Sequence, residues 1–333
     1  MIELKRPYLL YLGDAPDELA AKTAFGVYDW RPESCVGQFR LPGCQPRLNL
    51  PEISVSEAAE RGAKTLLIGV ANRGGVIPEQ WHASLLEALQ CGLDIASGLH
   101  TRIGDVAAIA SAASTLGREL IDVRHPRGVF PIGTGEPRSG RRLLTVGTDC
   151  SVGKMYTTLA IERELRARGA NVDFRATGQT GILIDGHGVS VDAVVADFIS
   201  GSVEDLCPAH DADHWDIIEG QGSLLHPSFA GVSLGLLHGA QPEAMVLCHE
   251  PSRSHMRGLP RQPMPSIEHC IAVNVDAART VNPNARIIGM ALNTKALDED
   301  GAHSLAREFE DRFGMPCTDP MRDGVHTLVD ALE

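Results

Sequence analysis

The chain has 333 residues, 43% hydrophobic and 22% charged, the composition of an ordinary globular protein long enough for two domains or one large α/β unit. A formal charge of −13 leaves no broad basic face for nucleic acid, so any anionic ligand must be met by a local cluster of donors. No apolar run approaches the roughly 18–20 residues that span a bilayer, the start runs into a strand pattern with no signal-peptide apolar region, and the eight cysteines are scattered with no Cys-x-x-Cys pair. These features predict reduced thiols, no zinc site, no membrane partner and a cytoplasmic protein.

The first 124 residues alternate strand and helix patterns. Tyr8–Leu12 reads as a strand, followed by a helix near Pro16–Phe25 with proline in its first turn. Residues 31–51, rich in Pro and Gly and without a period, predict an exposed loop. Ser54 and Glu57 have capping-box spacing for a short helix over 54–61. Thr65–Ala71 is a buried strand ending in Asn72-Arg73-Gly74-Gly75. A helix over 79–91, a strand over Asp94–Ser97, an Ala-rich helix over 105–116 and a strand over 119–123 follow. Strands separated by helices of this length imply βαβ units and a parallel sheet, hence a Rossmann-like domain over 1–124. It lacks the Gly-x-Gly-x-x-Gly fingerprint, so no dinucleotide is assigned to it.

Residues 125–142, with three prolines and four glycines, read as a linker to a second domain over 143–333. There the apolar run Leu143–Val146 breaks at Gly147 into Thr148, Asp149, Cys150, Ser151, Val152, Gly153, Lys154 and Met155, with a helix expected over 154–168. This is the grammar of a phosphate-binding loop: glycine turns the backbone, loop amides converge on an anion, and the helix adds its positive end. Five residues separate Gly147 from Gly153, and Met155 stands where the usual loop has the Ser or Thr that holds magnesium. The loop should hold a diphosphate while being poorly equipped for metal-assisted phosphoryl transfer. Thr157 and Thr158 are no obvious substitutes. Cys150 is either a nucleophile or a small filler between working amides.

Later strands over Asn171–Arg175, His214–Ile218, Ala244–Cys248 and Arg286–Leu292 each deliver polar or Gly-rich residues at the carboxyl end, as a doubly wound parallel sheet does when it builds a site. An amphipathic helix over 302–313 is expected to close the fold. Glu219, following Trp215–Ile218, can orient a metal-bound water, act as a general base, or cap the turn after it. His226 is a second candidate base and Asp197 a third acid, each with a structural alternative. Gln179 and Thr180, within Thr177–Gly181, suit a phosphate or a substrate carboxylate. Arg253, Arg257 and Arg261 form the densest cationic stretch in an acidic chain and suit carboxylates. Asn293 sits where phosphate-loop proteins read a nucleotide base.

Two resemblances follow from these motifs. Gly147–Met155 matches, at the same spacing, the Gly-Thr-Asp-Thr-x-Val-Gly-Lys-Thr loop of dethiobiotin synthetases except for its last residue, and Glu219-Gly220 and Asn293 resemble that family's strand-end acid and base-reading asparagine. Across nearly the whole chain, the order Gly-Thr-Asp-Cys-x-Val-Gly-Lys-Met, Ala-Thr-Gly-Gln-Thr-Gly, Glu-Gly-Gln-Gly-Ser-Leu and Leu-Asn-Thr behind a Rossmann-like domain resembles the DgcN family of D-glutamate N-acetyltransferases. That resemblance implies acetyl-CoA as donor and an acidic D-amino acid as acceptor. Under it the loop residues 147–155 and Asn293 would hold the donor. Gln179, Thr180, Arg253 and Arg257 would hold the acceptor, Glu219, Asp197 or His226 would be the base, and no metal would be needed. The dethiobiotin synthetase resemblance implies instead an ATP- and magnesium-dependent ligase or kinase. A homo-oligomer is expected in either case.

Overall fold

The computed structural model describes residues 1–332. In chain order its regular elements are β1 (Ile2–Glu3), β2 (Tyr8–Gly13), α1 (Lys22–Trp30), β3 (Cys35–Arg40), α2 (Val55–Glu60), β4 (Thr65–Ile68), α3 (His82–Gln90), β5 (Asp94–Ser97), α4 (Ala107–Leu116) and β6 (Leu120–Asp122). Then come β7 (Arg141–Gly147), α5 (Lys154–Ala167), β8 (Val172–Arg175), α6 (Gln179–Asp185), β9 (His187–Gly188), α7 (Ile199–Leu206) and β10 (Trp215–Ile218). The chain closes through α8 (Ala230–Ala240), β11 (Ala244–His249), α9 (Ile267–Arg279), β12 (Arg286–Leu292), α10 (Glu299–Phe313), β13 (Cys317–Thr318) and α11 (His326–Asp330).

These elements form two units, residues 1–128 with 178–193 and residues 129–177 with 194–333. The first holds a parallel sheet in the order β3-β2-β4-β5-β6. Its strands β2, β4 and β5 are buried along their whole length, as expected of a sheet covered by helices on both faces. The capping box works as read: Ser54 Oγ accepts from Glu57 N at 3.1 Å.

Two expectations for this unit need correction. The first helix begins at Lys22, because Asp17 Oδ1 accepts from Ala20 N at 2.8 Å and holds a turn, and Ala20 O accepts from Ala71 N at 2.7 Å. Residues 31–51 are not all loop. They contain β3, an edge strand whose buried Gln38 side chain bonds Leu48 N, Leu48 O and Leu50 O. A polar residue in the inner position hid its strand pattern.

The segment 178–193, which sequence order assigns to the second domain, belongs to the first unit: β9 pairs antiparallel with β1, and Ser190 Oγ donates to Val123 O. Residues 129–142 belong to the second unit. There the Glu204 carboxylate accepts from Thr134 N, Thr134 Oγ1 and Gly135 N, and Arg138 donates to Glu204 O and Gly239 O.

The second unit is a six-stranded parallel sheet in the order β13-β12-β11-β7-β10-β8. From β7 the chain first builds β8 and β10 on one side, then β11, β12 and β13 on the other. The carboxyl end of β7 is therefore a topological switch point, where open α/β sheets bind ligands. The amphipathic helix α10 is present, but it does not close the fold: β13 adds a further edge strand after it. Among the described residues no helix is long and apolar enough to cross a membrane.

Candidate active site

The Gly147–Met155 loop joins β7 to α5 at that switch point. Ser151 and Gly153 have left-handed backbones, φ +54° and +105°, and alternating conformations of this kind turn successive N–H groups toward one concavity. A Cβ built on Gly153 meets nothing within 4 Å, so its φ, not crowding, requires glycine there. Lys154 is buried, its Nζ donates to Asp149 O at 2.8 Å, and burial pushes its ammonium pKa down. An anion in the loop would supply the charge partner this ammonium lacks.

Asp149 is fully buried and organises the surroundings. Its Oδ1 accepts from Cys150 N at 2.7 Å, and its Oδ2 accepts from Arg253 Nη1 at 2.6 Å and Arg257 N at 2.8 Å. Burial would raise its pKa, but the Arg253 hydrogen bond, with the Arg257 and Cys150 amides, holds it below the usual carboxylate range. Arg253 also donates to Cys150 O at 2.7 Å and Ser151 O at 3.4 Å and pairs with Glu250. The guanidinium that the sequence aimed at a substrate carboxylate is thus committed to bracing the loop. The Arg257 side chain, by contrast, is exposed.

His226 is buried, with both ring nitrogens engaged. Nε2 donates to Arg257 O at 3.2 Å and Nδ1 accepts from Ser228 N at 3.2 Å, contacts that hold the ring in place. Cys150 is no activated nucleophile, since burial raises its pKa against the opposing pull of Lys154. Asp197 is exposed, on the one-turn helix Ala196–Phe198, and outside the hydrogen-bond network of the loop. Gln179 and Thr180 open α6 in the first unit, where the Gln179 Oε1 is buried without a partner.

Glu219 follows β10, which pairs with β7, and is 4% exposed. Its Oε2 accepts from Thr177 N at 3.0 Å, and the Thr177 hydroxyl donates to its carbonyl at 2.5 Å. The next residue is pressed against the loop, for a Cβ on Gly220 would lie 1.7 Å from Thr145 O and 3.0 Å from Lys154 Cδ. Gly220 N donates to Thr145 Oγ1 at 3.0 Å, Thr145 to Thr158 at 2.9 Å, and Thr158 to Lys154 O at 2.7 Å. This relay ties the acid-bearing strand end to the lysine turn, and its polar members inside apolar runs were the sequence signal that went unused. Gly220 N is occupied by it.

With Met155 lacking a hydroxyl, Thr157 bonded back to Gly153 O and Thr158 held in the relay, the residues present do not fit the magnesium site of a phosphoryl-transfer loop. His249 lies beneath the loop, bonded through Nδ1 to Thr148 Oγ1 at 3.0 Å. Burial, helped by Arg253 and opposed by Glu250, pushes its pKa down to about 4. Beside the loop opens a cavity of about 400 Å³, lined by Gly153, Tyr156, Asn293 and residues 319–322 among others. Tyr156, Met321 and the 319–322 turn carried no sequence signal, being brought there by the edge of the sheet. A second cluster, Asp173, His210, His214 and Asp216, is filled by Arg175, which donates to Asp216 at 2.6 Å, Asp173 at 3.1 Å and His210 at 2.9 Å.

A Rossmann-like unit and a parallel unit built around a phosphate loop define a P-loop protein of two α/β domains. The chain belongs to the DUF1611 family: residues 131–329 match its domain of unknown function described as a P-loop domain, and residues 40–126 the one described as a Rossmann-like domain. It is 54% identical to a D-glutamate N-acetyltransferase of Tritonibacter scottomollicae over 99% of both chains. A D-glutamate N-acetyltransferase of a Pseudoalteromonas species is 49% identical over 98% of this chain and 99% of that one. A crystal structure of a DUF1611 family protein from Anabaena variabilis superposes with a TM-score of 0.81 at 31% identity, covering 98% of this chain and 99% of that one.

Proposed function

We propose that this protein is an N-acetyltransferase that moves the acetyl group of acetyl-CoA to the amino group of D-glutamate. The observation that carries the proposal is 54% identity, end to end, with a relative bearing that name. A phosphate loop without a magnesium-holding hydroxyl supports it, because coenzyme A presents a diphosphate to be gripped and not cleaved. In this reading the 147–154 amides and Lys154 hold the diphosphate, and the exposed Arg257 meets an acceptor carboxylate. Glu219 takes the ammonium proton, in preference to the engaged His226 and the exposed Asp197. The freed nitrogen bonds to the acetyl carbon, the carbon–sulfur bond breaks, the sulfur leaves with the proton Glu219 removed, and the nitrogen releases its second proton to water. All eight cysteines are free thiols, which supports a reducing, cytoplasmic setting.

The test offers the purified protein acetyl-CoA or ATP with magnesium, together with D- and L-amino acids. Free thiol released with acetyl-CoA and D-glutamate supports the proposal; ADP formed instead would replace it with the ligase or kinase reading. Arg257→Ala should raise the KM for D-glutamate about tenfold with the donor Kd unchanged.

A further inference from the structure

We infer that the cavity beside the phosphate loop receives the adenosine end of the donor, and that Lys295 reads the 3′-phosphate of its ribose; this rests on the acetyl-CoA reading above. The cavity adjoins the loop at Gly153 and the first turn of α5 at Tyr156, and its volume, about 400 Å³, falls within the range of small-molecule sites. A diphosphate held by the loop has two ends, a nucleoside and a pantetheine arm. Covalent connectivity places whichever end is directed along α5 inside this cavity.

Charge selects between the two ends. Two cations, Lys295 and Arg322, line the cavity of a chain whose formal charge is −13. An uncharged pantetheine arm has no use for them, and the adenosine of ADP or ATP carries no charge away from its 5′-phosphates. The adenosine end of coenzyme A differs from theirs by one phosphate on the ribose 3′ oxygen. Arg322 is already held, donating to Leu297 O at 2.7 Å and lying 3.9 Å from the Asp319 carboxylate. Lys295 is exposed, and among the described residues its ammonium has no hydrogen bond or ion pair. The acid of the lining, Asp319, is turned to local work, accepting from Thr294 N at 2.9 Å and Met321 N at 2.9 Å. Tyr156 and Met321, 40% and 65% exposed, offer the apolar surface against which a flat base packs.

Titration calorimetry with coenzyme A and with 3′-dephospho-coenzyme A tests the inference. Coenzyme A should bind the unmodified protein at least about tenfold more tightly, the value of one charge-assisted contact. Lys295→Met should erase the difference by weakening coenzyme A alone, and Lys295→Arg should restore it. Equal affinities in the unmodified protein, or a Lys295→Met variant that weakens both ligands alike, would overturn the role of Lys295 while leaving the donor reading standing. Binding of neither ligand would defeat the donor reading and this inference with it.

Discussion

In the first unit β2 ends at Gly13 beneath the indole of Trp81, whereas in the second β7 ends at Gly147 beneath the ammonium of Lys154. A Cβ on Gly13 would lie 2.8 Å from the Trp81 ring, and one on Gly147 would lie 2.8 Å from Lys154 Nζ. Both strands stand at a switch point of a parallel sheet, so topology alone offers each unit a crevice. The first fills it. Trp81 donates to Asp14 at 2.7 Å, Gln80 donates to the same carboxylate at 2.9 Å, and the ring packs edge-on against Tyr11. The second leaves it open and lines it with amides and a buried cation. A switch point is an opportunity for a site, and the side chain over the last glycine decides whether the opportunity is used.

The sharpest way to break this contrast is to remove the brace under the open crevice. Arg253→Met leaves the Asp149 carboxylate buried without its cation and should cost about 3–5 kcal/mol in chemical denaturation, with donor binding lost in parallel. Lys154→Ala comes next. It should weaken coenzyme A by about a hundredfold in calorimetry while leaving the melting temperature unchanged or raised, because a buried ammonium without a counter-charge contributes nothing to the empty fold. An unaltered affinity would mean that the loop serves structure alone.

A pH series should separate the regions further. The His249 pKa is depressed from 6.5 to about 4, so between those values the unfolded chain binds the extra proton and stability falls as pH falls. The loss should reach at most about 3 kcal/mol, and His249→Gln should flatten that part of the profile. The smallest effect is expected from Gly13→Ala, where a left-handed φ of +52° and the Trp81 ring should cost about 1–3 kcal/mol. Coenzyme A affinity should be untouched. If it moves, the filled crevice is not merely filled.

Much of the site was legible because phosphate-loop grammar is local. Gly147, Gly153 and Lys154 act through backbone turns and a helix start that neighbouring residues impose. Strands β7, β10, β11 and β12 of the second sheet were legible for a similar reason, being short, mostly apolar runs followed by polar or glycine residues. What escaped was long-range. Asp149 and Arg253 lie 104 residues apart in sequence, so nothing in either neighbourhood announces that one neutralises the other. The edge strand β3 was hidden by a buried glutamine whose partners come from the next loop.

Sequence by itself determined two α/β units, a phosphate-loop motif and the absence of a hydroxyl at Met155, since each follows from residue type and spacing over a few turns of chain. Tertiary structure alone decided that Arg253 supports the loop while Arg257 is exposed, that residues 178–193 join the first unit, and that Lys295, unpaired among the described residues, lines a cavity. Those outcomes depend on which strand ends the folded sheets bring side by side, and a linear pattern carries no record of that.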